Sequence, residues 1–78
     1  MTKRDVAIRL IKSKYKESFK IEDKIVKLLQ EKSKNTYTIS NLYTHIDILL
    51  TDIDILAWGN NITKEELDLI FSEVYTSE

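Results

Sequence analysis

His45 is the single histidine of the chain, and no cysteine accompanies it. A zinc centre needs several convergent ligands, and a nucleophilic triad needs a base beside its nucleophile; His45 has neither neighbourhood in the sequence. It reads as a surface residue near the polar edge of its helix. Asp47, Asp52 and Asp54 come closest to a carboxylate cluster. On a helix, Asp52 and Asp54 stand about 200° apart and cannot share a ligand. As a calcium loop opening at Asp52 the segment fails, because Ala57 occupies the required glycine position and Leu56 and Thr63 occupy ligand positions. These aspartates therefore read as a solvated face. One glycine excludes phosphate-cradling loops and dinucleotide folds. Asn61-Ile62-Thr63 matches a glycosylation acceptor, but it is better explained as a helix cap. No catalytic residue, cofactor site or metal site is expected, and the chain reads as non-enzymatic.

The elements that carry these residues follow from periodicity. With 78 residues, no proline and one glycine, the chain has room for one domain, 1–78, built on helices. Apolar residues make up 42% and charged residues 32%, the balance of a folded protein. The spacing predicts a small antiparallel all-α bundle of four helices at about 3–17, 22–34, 40–58 and 63–75. Thr2 caps the first helix, with Asp5 at its third position. Ala7, Ile11 and Tyr15 form the stripe, with Ile8 and Leu10 widening it. A break is placed near Ser18–Lys20 because Phe19 and Ile21 do not both continue that stripe and Ser18 can cap. A single long bent helix is the alternative. Ile21, Ile25, Leu28 and Leu29 make the second helix's face.

Ser33 to Thr38 reads as a loop, Thr36 to Ile39 alternating like a strand without a partner. In the third helix Ile39, Leu42, Ile46, Leu49, Ile53 and Leu56 form one seam, flanked by Tyr43, Leu50 and Ala57. Gly59 is expected to supply the left-handed residue that ends it. Thr63 and Glu66 form a capping box for the fourth helix, with Ile62 and Leu67 as its staple. Leu67, Ile70, Phe71 and Val74 then face the core.

Charge is segregated. Residues 1–35 carry 11 Lys/Arg against 5 Asp/Glu, and residues 36–78 carry 1 against 8. One reading is that basic and acidic helices pack together and satisfy each other. The other is a basic surface, Arg9, Lys12 and Lys16 among its residues, aimed at an anionic membrane, nucleic acid or an acidic protein. DNA reading is not favoured, because the fourth helix sets only Lys64 against Glu65, Glu66, Asp68 and Glu73. Trp58 reads first as closing the base of the core and second, with Tyr75, Tyr37 and Tyr43, as an anchor for a partner. The third helix carries more apolar surface than short neighbours can cover, which predicts a weak homodimer through it or through the first helix. The N-terminus has no apolar core for a secretory signal. Ile46 to Trp58 is too short and too interrupted to span a bilayer. A soluble, cytoplasmic protein is expected.

The basic N-terminal helix, Ile25-Val26-Lys27-Leu28-Leu29, the long apolar helix ending at Trp58-Gly59-Asn60-Asn61-Ile62, and Thr63-Lys64-Glu65-Glu66-Leu67 together resemble the enterocin A-type immunity proteins. The resemblance spans most of the chain and rests on apolar pattern and one turn; the chain is shorter than typical members. It implies an antiparallel four-helix bundle that protects a bacterium from its own pediocin-like bacteriocin, working at the inner face of the membrane near the bacteriocin's receptor. It carries over no site residue. Two functional expectations stand side by side. One is an immunity protein acting by contact, and the other is a phage- or mobile-element-encoded regulator that binds a host protein.

Overall fold

The computed structural model describes residues 2–31 and 36–77. They form three helices, not four: α1 (Lys3–Gln30), α2 (Thr36–Gly59) and α3 (Lys64–Ser77). The expected break near Ser18–Lys20 does not occur. Ala7, Ile11, Tyr15, Ser18, Ile21 and Ile25 are the buried residues of α1, and their steps of four, four, three, three and four trace one uninterrupted helical stripe. Phe19, out of phase with Ile21, lies on a second face of the same helix and packs against α3. Ser18 does not cap. Its side chain is buried and its hydroxyl donates to the Tyr15 carbonyl at 2.7 Å, one turn back in an unbroken helix.

Local signals at the other helix ends were of mixed value. Thr2 and Asp5 close a reciprocal capping box on α1 (3.1 and 3.2 Å). At α3 the Thr63 hydroxyl accepts from the Glu66 backbone N–H at 3.2 Å. The Thr36–Ile39 stretch, expected as loop, is the first turn of α2; residues 33–35 of that loop, and the expected end of the second helix at 34, lie outside the described residues.

Gly59 does not take the left-handed conformation. It is the last residue of α2, and Asn61 has the positive φ, 54°. The Ile62 N–H then reaches the Ala57 carbonyl at 2.9 Å, while the Asn60 side-chain amide donates to the Leu56 carbonyl at 2.8 Å. Asn tolerates this backbone because its short polar side chain bonds locally, so it substitutes for the expected glycine.

α1 and α2 run antiparallel, shown by Lys14 with Asp52 and Glu17 with His45. α3 returns parallel to α1, with Arg4 paired to Glu66 and Lys12 to Glu73. α3 packs chiefly on α1. The core has two parts. Ala7, Ile11, Tyr15, Ile53, Ala57, Ile62, Ile70 and Val74 join all three helices, whereas Ile21, Ile25, Ile46 and Leu49 join α1 and α2 alone. Extents of 46 × 23 × 20 Å and a radius of gyration of 14.3 Å make an elongated molecule; a compact domain of this length has about 11.5 Å.

Candidate partner-binding surface

α2 is apolar on two opposite sides, with polar flanks between them at Asp47 and Asp54 and at Asn41, His45 and Asp52. Ile46, Leu49, Ile53 and Ala57 are buried against α1, yet Ile48, Ile55, Tyr37 and Trp58 on the far side are exposed. Thr44 and Thr51 share that far side by spacing. Their hydroxyls bond to the Ser40 and Asp47 carbonyls at 3.0 and 2.9 Å, so their polar atoms are already satisfied by the helix. A helix with a second apolar side opposite its buried one expects cover there as well.

Trp58 does not close the base of the core. It is 87% exposed, because the buried position at that turn is taken by Ala57, one residue earlier. Tyr75 is also exposed, and it belongs to an aromatic group. Its ring stacks on Phe71 at 6.2 Å and meets Phe19 edge-on at 5.9 Å, and Phe71 meets Tyr15 edge-on at 5.3 Å. Phe71, expected to face the core, is itself 41% exposed. The two aromatic candidates are thus at different places, Trp58 beside the α2–α3 turn and Tyr75 near the end of α3.

Arg9, Lys12 and Lys16 fall on one face of α1, as their spacing requires. Lys12 is drawn onto α3 by Glu73 at 3.3 Å. Lys16 lines a shallow cleft of about 540 Å³ with Lys20, Lys24, Leu42 and the His45–Glu17 pair. Among the described residues Arg9 and Lys16 form no ion pair. The partial satisfaction expected of packed basic and acidic helices is present at Arg4, Lys12 and Lys14, but as one basic helix between two acidic ones.

His45 lies on the surface with its Nε2 3.6 Å from Glu17. Two groups have shifted protonation. Burial pushes the Tyr15 phenol up, and the nearby Asp54 and Asp68 carboxylates push it the same way. The Arg4 hydrogen bond, with help from the Thr63 N–H, holds the Glu66 carboxyl below the usual range. Among the described residues no three His, Asp or Glu side chains are grouped to hold a metal ion, and no helix is long and apolar enough to cross a membrane.

The sequence reading assigns Tyr43 and Leu50 to a seam beside the core, naming Tyr43 also as an anchor for a partner, whereas both are exposed. The sequence does indicate that this helix carries more apolar surface than short neighbours can cover, and α3, at half the length of α1, leaves that flank open. Comparison with protein-family models, with curated proteins and with solved structures finds no match to this chain.

Proposed function

We propose that the protein works by binding another protein through its helical surface and performs no chemistry of its own. The observation that carries this reading is the far face of α2, where Tyr37, Ile48, Ile55 and Trp58 are exposed opposite the buried side. Contiguous apolar surface on a small domain is the usual mark of a binding site. The three-helix count departs from the four-helix bundle that the immunity-protein resemblance implies, so that resemblance now rests on the Trp58–Leu67 turn and the apolar pattern. Immunity to a bacteriocin and inhibition of a host protein by a phage-encoded chain are the two uses of contact that fit. A neighbouring bacteriocin precursor gene supports the first, and neighbouring phage genes support the second.

The test is affinity capture from native lysate with the folded chain as bait. A partner retained at stoichiometric amount is the expected result, and a bait that retains nothing above background sinks the reading.

A second reading has its own observation in the basic face of α1, where, among the described residues, Arg9 and Lys16 form no ion pair; such a face suits anionic lipid headgroups. Sedimentation with vesicles rich in phosphatidylserine at low salt tests it. Binding lost in an Arg9→Ser, Lys16→Ser variant is the expected outcome, and no binding to those vesicles ends it.

A further inference from the structure

α2 and α3 leave their connecting turn together and then separate. The residues of α2 that share a core with α3, namely Ile53, Leu56 and Ala57, all lie within one or two turns of Gly59. Farther along α2, Leu50 is 41% and Tyr43 52% exposed. Beneath this opening runs α1, whose stripe Tyr15, Phe19, Glu22, Val26, Leu29 steps by four, three, four and three. α3 covers the start of that stripe through Phe71 and Tyr75. At 14 residues α3 is about 21 Å long against about 42 Å for α1. Val26 and Leu29 therefore remain 50% and 60% exposed. Together Leu50, Tyr43, Phe71, Tyr75, Val26 and Leu29 line a wedge-shaped apolar groove, floored by α1.

Among the described residues, carboxylates dominate the rim of this groove. Asp54 lies on α2 and Asp68 on α3, the two helices that flank the groove, and both are near enough to the Tyr15 phenol to act on it. Asp47 follows Asp54 two turns back on the same side of α2. Glu22 and Asp23 line a recess of about 390 Å³ with Phe19 and Tyr75 at the groove's wider end. α2 contains no Lys or Arg, and α3 has only Lys64, in its first turn. The paired cations Lys12 and Lys14 are turned away, to Glu73 and Asp52.

We propose that this groove docks a basic amphipathic helix from a partner protein, its apolar stripe against Leu50, Tyr43 and Val26 and its flanking Lys or Arg side chains against the acidic banks. The inference rests on the contact reading above and specifies the surface and the chemistry of the partner. A second copy of this chain does not fit. Two-fold pairing of the groove would set carboxylates against carboxylates, and the basic face of α1, around Arg9, Lys16 and Lys20, has no apolar stripe to fill it. A cation beside Phe19 and Tyr75 gains from their ring faces as well as from Glu22 and Asp23.

The probe is a labelled synthetic amphipathic helix of leucine and lysine, with a leucine–glutamate peptide of the same pattern as control, read by fluorescence anisotropy on the intact chain. The leucine–lysine peptide is expected to bind, and the glutamate peptide is not. Leu50→Glu, and separately the charge reversal Asp47→Lys with Asp54→Lys, are each expected to weaken binding at least tenfold, while Lys20→Ser leaves it unchanged. Circular dichroism establishes that each variant is folded, and the two surface aspartates provide a variant that removes no packing. No binding of the leucine–lysine peptide, binding indifferent to both groove variants, or a dimer in sedimentation that Leu50→Glu dissolves would each overturn the proposal. A lysate partner retained equally by wild type and groove variants would overturn it while leaving the contact reading intact.

Discussion

Tyr15 sits where burial and two carboxylates act on one phenol, and this has a pH consequence. Because its folded pKa is raised, its contribution to stability is complete below the unfolded phenol value of about 10 and is lost as pH rises through the folded value. Tyr15→Phe keeps the ring contacts with Phe19 and Phe71 and removes the ionisable group. Its alkaline denaturation profile is expected to be shallower than that of wild type; an unchanged profile would show that Tyr15 is not the group responsible. Glu66 gives the opposite case. Its folded pKa is lowered, so its contribution is present above the ordinary carboxylate range and disappears as pH falls through the folded value. Glu66→Gln is expected to flatten the acid limb of stability against pH. Thr63→Ala, which removes the cap at the same helix end, should cost about 1 kcal/mol in urea unfolding.

At the scale of elements, the continuity of α1 and the end of α2 each have a discriminating substitution. Lys20 is exposed in the middle of α1, so Lys20→Pro should cost about 3 kcal/mol or more by removing a helical hydrogen bond. Near-neutral stability would restore the two-helix reading, in which residue 20 lies in the break between the helices. Gly59→Ala should stabilise by about 0.5–1 kcal/mol, because Gly59 is helical and a methyl there meets nothing within 4 Å. Had Gly59 been left-handed, the same change would destabilise. The caps at Thr2 and Thr63 were legible in the sequence because each is decided by a few adjacent residues. The junction at Ser18–Lys20 was not, because two faces of one helix, one toward α2 and one toward α3, look from the sequence like a stripe that loses phase. Gly59 misled because propensity names the residue type that best tolerates a positive φ, while the register of Ala57 and Ile62 against the core decides which residue must adopt it. Of the site, the basic face could be read from spacing, but the exposure of Tyr43 and Leu50 depends on the divergence of α3 from α2, a tertiary property with no local signature.

For the molecule as a whole, the two-part core predicts uneven stability. The end where three helices meet holds Ile11 and Ile53, the deepest side chains, and Ile53→Ala should cost about 2–5 kcal/mol. The other end is a pair of helices, and its amides should exchange with solvent faster in native-state hydrogen exchange. Equal protection at Ile25 and Ile11 would contradict this. The segregation of charge reaches further. α1 carries nine cations against four carboxylates, while α2 and α3 each carry a net charge of −3. A formal net charge of −1 therefore conceals an electric dipole across the width of the rod. Such a body turns in the field of a charged neighbour before the two touch, presenting one long side or the other according to the neighbour's sign. Its encounter rates should slow with added salt as though it were highly charged, which a pI of about 5.8 alone would never suggest.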